Sequence, residues 1–295
     1  MAHHHNHQVK SYNRAFAIGI GLNIAFVLVE LAYGLAADSL ALIADAGHNF
    51  SDVLSLVLAW GASYLATKAA TDKRTYGYRK VTILASLANA ILLLLALGAI
   101  AWEALHRLWN PQLVEGMTVI LVAGIGVVIN TLTALLFLSG QKHDLNIRGA
   151  FLHMAADAAI SLGVALGGAL ILWTGWVLID PILSLAIVLI ILLATWSLLR
   201  ESMDLAMDSV PQGTDLAGIR AYLKNLPGVA QLHDLHVWAL STSEVALSAH
   251  LVVRDGTDCP KLLQDAQKQL HDAFGIEHAT IQLEPEDAVD CPLNP

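Results

Sequence analysis

The chain has 295 residues, 56% hydrophobic and only 14% charged, against about 45–50% and about 25% in ordinary soluble domains, and its mean hydropathy is +0.59. Sixteen Lys and Arg against 25 Asp and Glu leave a net charge of −9, which excludes disordered, collagen-like and nucleic-acid-binding chains. Two cysteines, Cys259 and Cys291, are too few for a disulfide framework or a thiolate-rich cluster.

Residues 1–13 form a His-rich segment with His3, His4, His5 and His7. It reads either as a low-affinity metal collector or as part of an expression tag, and no cleavable signal peptide is expected. Six long apolar segments follow, at about 14–36, 39–67, 80–107, 113–139, 146–173 and 177–200. Each is long enough to cross a hydrocarbon core of roughly 30 Å as a helix. The fold class expected is therefore an α-helical membrane bundle of six transmembrane helices over 14–201, in an integral, multi-pass membrane protein.

The short loops set the orientation. Lys10, Arg14, Lys68, Lys73, Arg74, Arg79, Lys80, Lys142, Arg148 and Arg200 fall on one side, and only Arg107 on the other. Positive residues stay inside, so both termini are expected in the cytoplasm. The five basic residues of loop 68–80 are suited to contact anionic membrane lipid, and this loop has no His or Cys to bind metal.

After Arg200 the composition changes. Residues 209–286 read as a small α+β domain in the order αββαβ, with a helix from Thr214-Asp215 to Pro227-Gly228 and strands at about 229–240 and 244–254. A helix from Pro260 to about Phe274 and a strand at 278–284 complete it, and residues 287–295 read as a loose tail.

The membrane segments hold ionisable residues, which are expensive there and need a reason. His48 and Asp52 stand four apart in the second span, and His153 and Asp157 four apart in the fifth. Spacing of i, i+4 puts each pair on one helical face. Running in opposite directions, the two helices can bring both pairs to one depth. Two imidazole nitrogens and two carboxylate oxygens make a tetrahedral donor set for Zn²⁺ or a related divalent ion, and the two carboxylates balance its charge. Cu(I) would need sulfur, and Mg or Ca more oxygens.

Asp45 lies on the same face toward the outer end, placed to guide a released ion or to cap the helix. Asn23, Glu30, Asn89 and Asn130 suit hydrogen bonds between helices, and Glu30 is also the one to test as a proton carrier unless it reaches water at a helix end.

Leu40–Ser55 (LALIADAGHNFSDVLS), the matching HMAADAAISLG at 153–163, Asp180-Pro181 opening the sixth span, and the six-span plus αββαβ organisation resemble the cation diffusion facilitators over nearly the whole chain. The resemblance implies a homodimeric exporter of Zn²⁺ and related ions, usually exchanging metal for protons, in a bacterial inner membrane, and not an enzyme. It places the transport site at His48, Asp52, His153 and Asp157, in the zinc-preferring pattern. It also implies a metallochaperone-like cytoplasmic domain that binds metal through His233, His250 and Glu284, with His278 next. Of the family's C-terminal cysteine pair only Cys291 is present. His233 and His236, i and i+3 on a strand, are expected on opposite faces. The alternatives are a non-transporting membrane zinc sensor, or an exporter mainly for Cd²⁺, Co²⁺ or Fe²⁺. An intramembrane metalloprotease is disfavoured because no H-E-x-x-H occurs and four ligands would close the zinc site.

Overall fold

The computed structural model describes residues 12–137 and 145–286. The N-terminal histidines, Cys291 and the side chain of Asn23 lie outside the described residues. The first six helices are α1 (Tyr12–Ala36), α2 (Leu40–Ala66), α3 (Val81–Trp109), α4 (Gly116–Phe137), α5 (Leu145–Thr174) and α6 (Ile179–Ala206). Helix α6 continues six residues past the expected end at Arg200, because the polar stretch Glu201–Asp204 ends the apolar run without breaking the helix. Val81–Trp109, Gly116–Leu135, Phe151–Thr174 and Ile179–Ala206 are long and apolar enough to cross a membrane, and α1 contributes a shorter apolar stretch, Ile24–Ala36. Helix α2 departs from that composition because Asp45, His48, Asn49, Ser51 and Asp52 fill its middle.

Contacts divide the chain into two units, Met1–Val57 with Asn89–Ser197, and Leu58–Ala88 with Leu198–Pro295. In the first, small residues let backbones approach. A Cβ on Gly116 would stand 2.8 Å from the carbonyl oxygen of Gly168, and one on Gly168 3.0 Å from that of Gly116, so α4 and α5 touch backbone to backbone. A Cβ on Gly126 would meet the Phe26 ring at 2.6 Å and Ser161 Oγ at 3.0 Å, where α1, α4 and α5 come together.

The start of α2 is fastened from a distance in sequence. Asp180, buried at the head of α6, accepts from Ser39 Oγ (2.5 Å), Leu40 N (2.8 Å) and Ala41 N (3.3 Å), and Ser39 Oγ accepts from Leu42 N. The free amides of the first turn are thereby met. Arg107 at the end of α3 donates to the Asp38 carbonyl (2.6 Å), to Asp38 Oδ1 (2.7 Å) and to Glu103 (2.9 Å), holding the α1–α2 turn.

The second unit contains α7 (Leu216–Lys224), β1 (Val229–Ala239), β2 (Val245–Val253), α8 (Cys259–Phe274) and β3 (Ile276–Pro285). Asp215 and Asp258 cap the two helices by accepting from Gly218 N and Lys261 N, and Gly275 ends α8 in the left-handed conformation. The sheet order is β1-β2-β3, with β1 antiparallel and β3 parallel to β2. Leu247, Ala249, Leu251 and Val253 of β2 face a core with Ile219 and Leu223 of α7 and Leu262, Ala266 and Leu270 of α8. His250 and Ser248 therefore lie on the opposite face, away from the helices. In the same unit Arg79 pairs with Glu244 (3.1 Å), Lys80 with Asp208 (2.6 Å), and Thr242 N donates to Thr82 Oγ1 (3.1 Å).

Strand β1 does not alternate regularly. His233 is opposite His250 and His236 opposite Ser248, so three steps on β1 match two on β2. This is a bulge, and Asp234 within it has φ +50°, a left-handed value that Asp tolerates better than most residues. The expectation that His233 and His236 point to opposite faces is corrected: the extra residue puts both on the open face. It likewise brings Leu232 and Val237, five apart, into the same core.

Candidate metal sites

In the helical unit the two His-Asp pairs approach each other across α2 and α5. His48 Nε2 lies 3.4 Å from Asp157 Oδ1 and 4.0 Å from Asp52 Oδ2, while His153 Nε2 lies 3.2 Å from Asp52 Oδ2 and 3.7 Å from Asp157 Oδ2. Four donors about 2.0 Å from a tetrahedral zinc stand about 3.3 Å apart, so these separations need only small rotations to close on an ion. Ligand atoms of Asp52, His153 and Asp157 all lie within 4.8 Å of one another, and His48 completes the ring through both carboxylates. The two imidazole rings are 6.0 Å apart, edge to face. Asp52 Oδ2, both oxygens of Asp157 and His48 Nδ1 are buried without a hydrogen-bond partner among the described residues. Buried acceptors without donors are rare, and here they converge on one point, as cation ligands do.

Exposure falls along the site. The side chain of His153 is 42% exposed, Asp52 29%, His48 19% and Asp157 0%. One turn further toward the α2 N-terminus, Asp45 is buried. It accepts from Ser161 Oγ of α5 (2.9 Å) and from Asn49 Nδ2 (3.5 Å). It does not cap α2, since Ser39 and Asp180 do that. Glu30 does not reach water either, being fully buried and accepting from Asn49 Nδ2 at 3.4 Å.

The second cluster occupies the open face of the sheet. His233 Nε2 is 2.9 Å from Glu284 Oε2, and His250 Nδ1 is 2.9 Å from Glu284 Oε1. The three offer ligand atoms within 4.8 Å of one another, and the two imidazole rings are 5.2 Å apart. Nδ1 of His250 sits close to the carboxylate yet lacks a hydrogen bond of normal geometry, as does buried His233 Nδ1 among the described residues. Two nitrogens and one carboxylate fit zinc with a fourth position open. Burial pushes the Glu284 carboxyl up, but the His233 hydrogen bond and the His233 and His250 charges outweigh it and hold it below the usual carboxylate range.

His278 is not brought to this cluster within the chain. It pairs with Ala246, at the other end of β2 from Glu284's partner Val252, and packs edge-on against Tyr76 at 5.5 Å.

Two residues escaped the sequence reading. Asp234 lies 3.5 Å from His250 Nε2, on the side away from Glu284, and 2.8 Å from His236 Nε2. Its hydrogen bond to His236 chiefly holds its carboxyl below the usual range. Asn49 is the second, linking Glu30 to Asp45. For Asp234 the available signal was an acid between two histidines; for Asn49 none was available, because its partners come from tertiary packing.

Comparison with known proteins divides the chain between α6 and α7. Residues 16–205 match the cation efflux transmembrane domain, and residues 211–286 the cation efflux protein cytoplasmic domain. The chain is 37% identical over 284 residues to the metal cation efflux system protein CzcD of Cupriavidus metallidurans, covering 96% of this chain and 89% of the relative. It is 35% identical over 303 residues to the zinc transporter ZitB of Escherichia coli, covering 100% and 96%. It is 34% identical over 287 residues to a cadmium, cobalt and zinc/H⁺-K⁺ antiporter of Bacillus subtilis, covering 96% and 92%. A solved metal-bound C-terminal domain of the CzcD transporter is 37% identical, covering 24% of this chain and 97% of that one, with a TM-score of 0.23. A membrane bundle with apolar spans and a C-terminal αββαβ domain, matched from end to end by such relatives, identifies the chain as an integral membrane metal cation efflux transporter of the cation diffusion facilitator family.

Proposed function

We propose that the protein exports Zn²⁺ from the cytoplasm in exchange for protons, binding it between His48, Asp52, His153 and Asp157. The observation that carries this reading is the convergence of two His-Asp pairs whose buried carboxylate oxygens lack donors among the described residues. Two imidazoles favour zinc over Mg²⁺ or Ca²⁺, and two carboxylates neutralise a divalent ion. The zinc and zinc/H⁺-K⁺ descriptions of two relatives support the same ion and an exchange. Metal binding expels protons from its ligands, which supplies a physical link between ion and proton. With Lys- and Arg-rich loops inside, the fall in exposure from His153 and Asp52 to Asp157 supports entry from the cytoplasmic end, with Asp45 beyond on the exit path.

In this reading 14–201 is the transport domain and 209–286 a cytoplasmic domain with a resident metal on His233, His250 and Glu284. A domain of about 80 residues buries a limited core alone and gains from a partner, which favours a homodimer joined there. Of the basic residues in loop 68–80, Arg79 and Lys80 pair with Glu244 and Asp208, which leaves Lys68, Lys73 and Arg74 to meet anionic lipid in a bacterial inner membrane.

The test is metal flux into proteoliposomes. Four ligands sharing about 10–16 kcal/mol supply roughly 2.5–4 kcal/mol each, so Asp157→Ala or Asp52→Ala should weaken binding by about a hundredfold or more and stop zinc flux in a folded protein. Wild-type flux in either variant overturns the site; binding without any flux in the unmutated protein makes it a sensor.

A further inference from the structure

One turn beyond the His-Asp pairs, four buried polar groups form a separate cluster. Glu30 comes from α1, Asp45 and Asn49 from α2, and Ser161 from α5. The amide of Asn49 donates to both carboxyls, Ser161 donates to Asp45, and the Glu30 and Asp45 carboxyls are within hydrogen-bonding reach of each other. All donors to a guest here are oxygens. No Lys or Arg balances the pair among the described residues, and α4, which packs on α1, carries no ionisable residue. Among the described residues, the charged or titratable groups facing the pair are His48 of α2 and Asp157 of α5.

As two carboxylates, Glu30 and Asp45 would present acceptors to each other, and Glu30 Oε1 and the amide oxygen Oδ1 of Asn49 lack donors among the described residues. One added proton turns this contact into a carboxylic acid–carboxylate hydrogen bond and removes one of two costly intramembrane charges. Zinc is a poor guest, because the cluster offers neither nitrogen nor sulfur.

We propose that Glu30, paired with Asp45, is the proton-holding station of the transport cycle, distinct from the metal site one turn away. A divalent ion between His48 and Asp157 adds two positive charges beside the pair and drives its proton off. Departure of the ion outward lets the pair take a proton from the outer side. Proton and metal thus occupy neighbouring sites that disfavour simultaneous occupation, which is a coupling free energy between two sites. This deepens the exchange reading above and rests on it.

The experiment compares the full-length protein with Glu30→Gln and Glu30→Asp. Three quantities are read: zinc affinity of the purified protein, protons released per zinc bound in weak buffer, and zinc flux in proteoliposomes under imposed pH or K⁺ gradients. Glu30→Gln fixes the pair at the charge of its protonated form, so zinc affinity should fall several-fold at high pH, where the unmutated pair is ionised, proton release per zinc should fall, and flux should lose its response to the pH gradient. Glu30→Asp, which folds around the same chemistry, should restore part of that response. Unchanged proton release and gradient response in Glu30→Gln overturn the proposal, as does a loss of zinc affinity beyond about tenfold with the pH response intact, or a response that follows K⁺ instead. If the unmutated protein itself exchanges no protons for zinc, the antiport reading falls first.

Discussion

Asp180 offers a direct measure of how the first turn of α2 is held. Its carboxylate takes three hydrogen bonds, from the Ser39 hydroxyl and from two backbone amides, in a buried setting. Removing it with Asp180→Ala strands those donors. A hydrogen bond to a charged group contributes about 1.5–3 kcal/mol, and three that share one acceptor are not additive, so a loss of about 3–5 kcal/mol is expected. For a chain of this size each kcal/mol moves the melting midpoint by about 2–4 °C, giving a drop of roughly 6–20 °C. Ser39→Ala removes one of the three and should lower it by less, about 3–12 °C. Asp180→Asn keeps one oxygen but turns an NH₂ toward amide donors, and should fall between. The assay is thermal unfolding of the purified protein in one detergent, followed by tryptophan fluorescence and checked by size exclusion. An Asp180→Ala midpoint equal to that of Ser39→Ala would falsify the view that this carboxylate, and not the hydroxyl, fastens the helix.

Three further outcomes can be measured alongside. Saturating zinc should raise the melting midpoint of the C-terminal unit, by an amount equivalent to about 2.7 kcal/mol at a hundredfold excess over its dissociation constant, and His250→Ala should abolish that gain; an unmoved midpoint removes the resident metal. Asp234→Asn keeps a residue suited to the left-handed backbone but weakens the support behind His250, so zinc affinity of the C-terminal unit should drop by about 10–100-fold with little change in its metal-free stability. Gly168→Ala drives a methyl against the Gly116 carbonyl and should destabilise the helical unit by about 1–3 kcal/mol, whereas Gly124→Ala, where a methyl meets nothing within 4 Å, should not.

The helices were legible because their signals are local. Charge-free stretches long enough to span a bilayer, and histidine and aspartate four apart, are read within one or two turns of chain. The same arithmetic put His48 beside Asp52 and His153 beside Asp157. The shortest contacts, however, run crosswise, His48 to Asp157 and His153 to Asp52, and no periodicity states which residue of one helix meets which of another. Asp180 illustrates the same limit, since its partners are some 140 residues earlier. Glu30 looked close enough to a helix end to reach water, but it is fully buried and hydrogen-bonded to Asn49 of α2, a partner that only tertiary packing supplies. In β1 the run Leu232-His233-Asp234-Leu235-His236-Val237 breaks its apolar–polar alternation at His233-Asp234, but the pattern alone does not state which residue takes the positive φ of the bulge.

That extra residue changes the phase of strand β1. Just before it the even-numbered Leu232 faces the helices, and after Asp234 the odd-numbered Val237 does. A one-residue deletion inside 234–235 would therefore be more damaging than many substitutions. It would restore ordinary pairing only by turning Val237 and Ala239 outward and driving His236 and Trp238 into the apolar layer, or else by sliding the whole strand past β2. Insertions and deletions should accordingly be tolerated at the Ser241–Ser243 turn and rejected eight residues earlier, so that a library scanning chain length along this hairpin would map the bulge as a sharp boundary without any structure being solved.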